Sequence, residues 1–187
     1  TIMMNKEIIL NKKNETNVKA KIKYLDVSYI DKIIELEKNI YEMLENKEFY
    51  SCSSKEEYSN IISKYGKIIG CVLEETDELV CIGVYASYGY NEHNYGYDFN
   101  IEGEELLKVS QIESTIVSPK YRGNGLQNII CNAIEELAKE NGDKMIAATV
   151  APENIYSLNT FIKREYKIMA DKLKYGGLRR YVVMKEI

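Results

Sequence analysis

The sequence predicts an α/β protein in which a mixed central β-sheet carries helices on both faces. Strand-like and helix-like hydrophobic patterns follow one another in the order β-α-α-β-β-β-α-β-α-β-β. No repeat, low-complexity stretch or Pro/Gly-rich linker interrupts this order, so residues 1–187 are expected to form one domain. Residues 1–17 precede the first predicted strand and are expected to be a peripheral N-terminal segment.

The N-terminal part of the chain is predicted to hold a strand and then a helix. Val18–Tyr24 alternates apolar and basic residues, which is typical of a half-exposed strand. Asp26 can cap the helix that follows, because a carboxylate accepts hydrogen bonds from the free N–H groups of a first turn. The apolar residues of this helix recur at helical spacing: Ile30, Ile33, Ile34, Ile40, Tyr41 and Leu44.

A second helix, a hairpin and a loop are predicted next. Ser54 and Glu57 have the spacing of a capping box, which marks the start of a helix. The apolar segments Lys67–Leu73 and Leu79–Ala86 flank a short polar turn and predict a β-hairpin. The polar, tyrosine-rich stretch Tyr88–Asn100 is predicted to be a loop.

Strands and helices alternate in the second half of the chain. Val109–Val117 and Lys144–Val150 are predicted strands, and Leu126–Glu140 and Asn154–Arg164 are predicted helices. Two further strands are predicted within Tyr166–Ile187.

The predicted strand Val109–Val117 carries polar residues on one face. Strict alternation puts Val109, Gln111, Glu113 and Thr115 on one face and Ser110, Ile112, Ser114 and Ile116 on the other. Three polar side chains on one face of a central strand favour a cleft beside that strand.

Composition excludes several classes of protein. A formal net charge of −4 without a basic cluster disfavours binding to nucleic acid or to an anionic membrane. No apolar run approaches the about 20 residues that a membrane span needs. Isolated cysteines, with Cys71 and Cys81 in apolar runs, favour a cytoplasmic, reduced protein. His93 is the one histidine, which makes a histidine-based metal site or a Ser-His-Asp triad improbable, and no metal is expected.

The segment VSPKYRGNGLQ, residues 117–127, joins a predicted strand to a predicted helix. Free N–H groups and a partial positive charge at the helix start favour an anion, and glycine lets that anion approach the backbone. The segment is not a Walker loop, because Leu126 follows Gly125, and it lacks the third glycine of a dinucleotide-binding fingerprint, since that position is Asn128. An ordinary glycine-rich turn is the alternative.

Here the sequence resembles the GNAT superfamily of acyl-CoA-dependent N-acyltransferases. That family has a Q/R-x-x-G-x-G/A loop after a strand ending in V-x-P, which corresponds here to residues 117–119 and 122–127. Gln127 stands where the family usually has a small residue. A second match is Asn154, Ser157, Phe161 and the Glu165-Tyr166 pair, about 30 residues downstream.

The resemblance implies a GNAT-like fold from about Val18 onward and acetyl-CoA as co-substrate. It further implies that the main chain of Ile116 and Val117 and the loop residues Arg122, Gly123, Asn124, Gly125, Leu126 and Gln127 contact the cofactor. Asn154, Ser157 and Phe161 would flank its pantetheine arm.

The resemblance also implies where the chemistry takes place. Family members often carry a carboxylate base on the strand before the loop, which makes Glu113 the candidate, and the alternative is a solvated or salt-bridged strand residue. The tyrosine that protonates the departing thiolate in many members is Phe161 here, and a phenyl ring donates no proton. Tyr156, Tyr166 and Tyr175 lie near it in sequence, but proximity among 16 tyrosines selects none of them.

The resulting expectation is an N-acetyltransferase acting on a primary amine of a small molecule or peptide. Acceptor specificity is expected from Tyr88–Asn100 and from Tyr175-Gly-Gly177. Two alternatives stay open: a catalytically weak sensor or interaction module that binds CoA or acetyl-CoA, and loop aromatics that simply cover a sheet edge. A homodimer is also left open.

Overall fold

The computed structural model of the protein describes residues 5–12 and 17–187, and its strands form one eight-stranded sheet in the order β1-β2-β3-β4-β5-β6-β8-β7. β5 and β6 pair in parallel, and every other neighbouring pair in this described sheet is antiparallel. The strands are β1 (Lys6–Leu10), β2 (Val18–Leu25), β3 (Gly66–Leu73), β4 (Leu79–Ala86), β5 (Val109–Val117), β6 (Met145–Val150), β7 (Lys167–Lys174) and β8 (Leu178–Glu186). The mixed sheet predicted from the sequence is thereby confirmed.

Four α-helices accompany the sheet over the described residues: α1 (Ile30–Met43), α2 (Lys55–Asn60), α3 (Leu126–Glu140) and α4 (Ile155–Lys163). A π-helical turn, Ile61–Tyr65, extends α2 up to β3. All four helices fall short of the length and apolar character that crossing a membrane requires.

β1 is the strand that the sequence analysis missed. Lys6–Leu10 pairs antiparallel with β2 at one edge of the sheet, and Leu10 is buried. Five residues with two isoleucines and a leucine in succession show no clear period, so local pattern alone does not distinguish a strand there. Residues 1–4 and 13–16 of the expected N-terminal segment lie outside the described residues.

Local capping defines the helix starts as predicted. The Asp26 carboxylate accepts a hydrogen bond from Ser28 N at 2.9 Å and caps a short 3₁₀ turn that leads into α1. Ser54 and Glu57 form a complete capping box, with Glu57 N donating to Ser54 Oγ at 3.1 Å and Ser54 N to Glu57 Oε1 at 3.4 Å.

The two faces of the sheet bury separate apolar layers. α1 and α2 cover one face, where Ile33, Ile40 and Tyr58 are buried. α3 covers the other, where Ile130 and Ile134 are buried. Cys71 and Cys81, predicted to be buried, lie opposite each other in the β3–β4 pair and are inaccessible to solvent.

A β-bulge at Glu113 interrupts the alternation of β5. Val84 pairs with Ser114 and Tyr85 with Ile112, so Glu113 is the extra residue of β5 in this pairing. Ile112 therefore packs in the α3 layer, whereas Ile116 packs in the α1 layer. The predicted strict alternation, which put Ile112 and Ile116 on one face, is wrong because a single inserted residue reverses the phase of every side chain after it.

The same bulge separates the polar residues that were expected to share a face. Gln111 and Glu113 remain together, with Gln111 Nε2 donating to Glu113 Oε1 at 2.7 Å. Thr115 lies instead on the α3 side, where its hydroxyl accepts a weak hydrogen bond from Gln127 Nε2 at 3.4 Å. Glu113 and Ser114 therefore line the part of the cleft away from α3, whereas Thr115 lines the cleft on the α3 side.

The parallel pairing of β5 with β6 ends at Ile112 and Ala148. Beyond this point the two strands line opposite walls of an open cleft, with Glu113–Thr115 on one wall and Thr149–Ala151 on the other. The sheet is thus split at its centre, next to the bulge.

Candidate active site

The cleft between β5 and β6 continues in two directions from its centre. On the side of the α3 N-terminus it widens to about 640 Å³ and meets the glycine loop. On the opposite side it opens into a tyrosine-lined space of about 860 Å³ next to the loop predicted at Tyr88–Asn100. We call this second cavity the outer space. Glu113, Ser114 and Tyr175 line both the centre and this second space.

The glycine loop exposes its backbone to the cleft. Gly123 and Gly125 have φ values of +87° and +67°, and a Cβ at either position would find no atom within 4 Å among the described residues other than its chain neighbours. Gly125 occupies the N-cap position of α3 in a left-handed conformation that glycine adopts without strain. The first N–H groups of α3 lack acceptors within the helix, so this surface is suited to an anion.

The side chains of this loop are used in different ways. Arg122 is exposed at the rim of the cleft. Asn124 instead reaches outward, exchanging hydrogen bonds with the main chain of Asn11 at 2.8 and 2.9 Å and donating to Tyr121 O at 2.8 Å. Leu126 is buried in the core. For Asn124 and Leu126, only the main chain is therefore available to a ligand.

The second set of predicted cofactor residues lines the other wall of the cleft. The Asn154 side chain caps α4 by accepting from Ser157 N at 3.4 Å, and both residues face the cleft. Phe161 lies deeper, packed edge-on against Tyr166 with ring centroids 5.1 Å apart. The main chain of Ile116 and Val117 completes the wall on the side of β5.

Glu113 is half-buried and both of its carboxylate oxygens accept hydrogen bonds. Oε1 accepts from Gln111 and Oε2 accepts from the Tyr95 hydroxyl at 3.0 Å. Burial and the Glu113 carboxylate raise the pKa of Tyr88 on the other side of the space. A carboxylate offers about four lone-pair sites, so Glu113 retains capacity for a substrate or a water.

A chain of hydroxyl groups continues from Glu113 into the centre of the cleft. The Tyr95 hydroxyl lies 2.7 Å from the Tyr175 hydroxyl, which lies 2.9 Å from Thr149 Oγ1 on β6. Burial is the main cause that raises the pKa of both Tyr95 and Tyr175. Both phenols therefore hold their protons at neutral pH.

Glu37 is a site residue that the sequence analysis missed. It is 3% exposed in α1, and Oε2 accepts from the hydroxyls of Tyr50 at 2.8 Å and Tyr58 at 2.5 Å. The Ser53 N–H also points at this carboxylate, at 3.2 Å. The Tyr50 hydroxyl in turn lies 3.0 Å from Ser114 Oγ, so Glu37 fixes the segment that covers the centre of the cleft.

The sequence contains one signal for Glu37. It falls between Ile33 and Ile40 at the spacing of the apolar stripe, and an acidic residue in that stripe is a buried polar group that needs partners. Its partners Tyr50 and Tyr58 come from other elements, and burial followed by the Glu37 carboxylate raises the pKa of Tyr50.

Arg180 places a buried cation beside the same cleft. The residue is 4% exposed, and its guanidinium donates to the main-chain carbonyls of Glu48 at 2.5 Å and Arg179 at 2.9 Å. Its central carbon lies 5.9 Å from the Tyr175 ring centroid. Burial lowers the pKa of Arg180, and its positive charge extends toward the centre of the cleft.

The outer space is lined by aromatic rings and carboxylates. Tyr65 and Tyr88 pack with centroids 4.7 Å apart, and Tyr88 contacts His93 at 5.6 Å. Glu57 and Glu92 also line this space. Asp98 lies there too, and its charge is compensated by Lys172 and Lys174, whose ammonium groups lie 3.4 and 2.6 Å from it.

Comparison with known proteins identifies a family for most of the chain. The family model described as Acetyltransferase (GNAT) family matches residues 29–166. No curated protein matches the sequence.

Solved structures with the same fold include three bacterial proteins. yncA from Salmonella typhimurium, solved with its cofactor acetyl-CoA, is 13% identical over 89% of this chain and 93% of that one, with a TM-score of 0.62. The acetyltransferase of GNAT family from Streptococcus pneumoniae is 14% identical, with coverages of 90% and 99% and a TM-score of 0.66. An N-acetyltransferase from Staphylococcus aureus is 15% identical, with coverages of 89% and 98% and a TM-score of 0.64.

We predict that Glu37→Gln lowers the free energy of unfolding by about 1–3 kcal/mol, because buried donors then lose a charged acceptor. Glu37→Ala should cost more, since it leaves the Tyr50 and Tyr58 hydroxyls without that partner. Urea unfolding monitored by circular dichroism measures both changes. Glu35→Gln, an exposed substitution in the same helix, is the control and should be near neutral. Equal stability of the Glu37→Gln and Glu35→Gln variants would contradict the role given to Glu37.

Proposed function

Since the chain belongs to the GNAT family of acetyltransferases, we propose that it transfers the acetyl group of acetyl-CoA to a primary amine of a small molecule or peptide. The split between β5 and β6 carries this proposal. One end of that cleft offers backbone N–H groups to an anion, and the other holds carboxylates and tyrosines that suit an amine.

The geometry of the end next to the glycine loop supports the proposed cofactor residues. The N–H groups at the start of α3, opened by Gly123 and Gly125, would bind the pyrophosphate, and Arg122 adds a cation at the rim. Asn154, Ser157 and Phe161 would flank the pantetheine arm along α4. The yncA structure, solved with acetyl-CoA, supports the identity of the cofactor for a protein of the same fold.

Deprotonation of the acceptor is the main chemical requirement. A primary alkylamine has a pKa near ~10.4, so the neutral form costs about 4–5 kcal/mol at pH 7. Glu113 supports proton removal because its carboxylate lies where the cleft centre meets the outer space, and its position at the bulge directs it there. Ser118 N donates to Val80 O on β4, so by alternation the Ile116 N–H also faces β4 and the Val117 N–H faces the cleft, where it would stabilise the charge that develops on the thioester oxygen.

One observation favours the alternative of a CoA-binding sensor. Phe161 offers no proton to the departing thiolate from the α4 wall, and a site that only binds CoA would not need one. The two functions differ in turnover.

Thiol release from acetyl-CoA, measured with polyamines, aminoglycosides, amino acids and peptides as acceptors, tests the proposal. Turnover on any of these amines supports an enzyme. Acetyl-CoA binding without turnover on the whole panel would favour the sensor. A protein that neither binds acetyl-CoA nor acetylates any of these amines would contradict the proposed function.

We predict that Gly125→Asp abolishes acetyl-CoA binding, because it places a carboxylate where a phosphate would lie. Isothermal titration calorimetry measures the affinity. Gly103→Asp is the matched control, since Gly103 also has a left-handed φ, of +64°, and an open Cβ position, but lies away from the cleft. Equal affinity of the two variants would exclude the loop as the phosphate site.

We predict that Glu113→Gln lowers kcat by about 10²–10⁴-fold with little change in acetyl-CoA affinity, which is typical of losing a general base. The deficit should shrink as pH rises, because more of the amine is then already neutral. Glu104→Gln, an exposed substitution, is the control. A Glu113→Gln variant with wild-type kcat near pH 7 would show that Glu113 is structural.

A further inference from the structure

Acetyl transfer includes two proton transfers. The amine loses one N–H proton as its nitrogen bonds to the acetyl carbon, and the CoA sulfur gains a proton as the C–S bond breaks. Glu113 accounts for the first transfer, whereas Phe161, which faces the same cleft from α4, offers no proton for the second.

Tyr175 is one of two tyrosines that line the centre of the cleft, and the other, Tyr50, donates its hydroxyl proton to Glu37. Tyr175 lies in the turn between β7 and β8, at a φ of +51°, and lines the cleft together with Phe161. Its hydroxyl is held by Thr149 on β6 and by Tyr95, at 2.9 and 2.7 Å. The side chain is thus fixed at the point where β6 leaves β5.

The other tyrosines near α4 in sequence are placed differently. The Tyr166 hydroxyl is buried against Glu135, to which it donates at 3.2 Å. Tyr156 is 81% exposed and lines the cleft at the end next to the glycine loop, away from its centre. Of the three tyrosines that the sequence left open, Tyr175 has its hydroxyl between the two strands that diverge.

We propose that Tyr175 is the general acid of the reaction and protonates the departing CoA sulfur. This inference rests on the proposed function, because it assigns a second residue to the same acetyl transfer. The Tyr95 hydroxyl joins Tyr175 to Glu113, so that acid and base form one relay.

Starting from the neutral amine, whose ammonium proton has already been released to solvent, the relay balances its protons within a single turnover. Glu113 takes the proton of the amine, and Tyr175 gives its phenolic proton to sulfur. Tyr95 then reprotonates Tyr175 and receives the proton held by Glu113. The net result is one proton moved from nitrogen to sulfur, with each protein group restored to its starting state.

Arg180 supports this assignment electrostatically. Its guanidinium carbon lies 5.9 Å from the Tyr175 ring centroid, and the two hydrogen bonds that it makes within residues 5–12 and 17–187 go to main-chain carbonyls. Neither of these two bonds pairs the guanidinium with a carboxylate. The buried positive charge therefore stabilises negative charge on the phenol or on sulfur while the proton moves.

The test is the pKa of the thiol of bound CoA, read from the ultraviolet absorbance of its thiolate during a pH titration. A phenol that donates to the sulfur stabilises the thiolate, so Tyr175→Phe should raise the pKa of the bound thiol by about one unit or more. Tyr181→Phe, on the adjacent strand β8 with its partly buried ring packed against the main core, is the matched control and should leave that pKa unchanged. This measurement needs no acceptor amine.

The outcomes separate this inference from the proposed function. If CoA binds the wild-type protein and the bound thiol has the same pKa in the Tyr175→Phe variant, Tyr175 is not the acid, and the proposed function is unaffected. Failure of the wild-type protein to bind CoA would overturn both.

Kinetics provide a second readout. With the panel amine that the wild type acetylates fastest, Tyr175→Phe should lower kcat by about 10²-fold, at the lower end for acid catalysis because a thiolate is already a good leaving group. The KM for acetyl-CoA should stay near its wild-type value. A raised KM with unchanged kcat would instead give Tyr175 a role in binding alone and would overturn the assignment.

Discussion

The divergence of β5 from β6 after Ile112 and Ala148 is the constraint on which the rest of the site depends. A continuous parallel pair would satisfy the backbone of both strands and leave no space between them. The bulge at Glu113 lies at the same level, and a bulge bends its strand and increases the local twist. It also moves Ile116 into the α1 layer and Thr115 toward α3, so both layers stay filled while Glu113 faces the opening.

The walls of this opening are held by polar contacts from distant parts of the chain. Glu37 accepts hydrogen bonds from Tyr50, Ser53 and Tyr58, and Tyr50 reaches Ser114 beside the bulge. A buried carboxylate is costly to desolvate, so it remains stable only where several donors converge on it. Here these hydrogen bonds hold Tyr50 and Ser53, in a segment without regular strand or helix structure, in the lining of the centre of the cleft.

The charges of the cleft are separated along its length. The start of α3 contributes N–H groups and a partial positive charge at one end, and carboxylates with tyrosines surround the other. Protonated phenols and the buried Arg180 guanidinium lie between these ends. This separation is consistent with the proposed anionic cofactor at one end and the proposed amine at the other, with Glu113 and Tyr175 joined by the Tyr95 hydroxyl between them.

The sequence by itself determined the features that depend on short-range pattern. Hydrophobic periodicity located seven of the eight described strands and all four described α-helices, and the capping residues Asp26, Ser54 and Asn154 marked helix starts, because caps and periods are set by neighbouring residues. The glycine spacing also identified the loop before α3, since Gly123 and Gly125 have the positive φ values that glycine tolerates.

The tertiary structure alone decided the phase of β5, because a bulge is defined by its pairing with another strand. It also decided which of the 16 tyrosines is linked through Tyr95 to Glu113 at the centre of the cleft. That choice depends on Tyr95, Thr149 and Tyr175 meeting from three separate segments, and no local pattern encodes a contact between residues 80 positions apart.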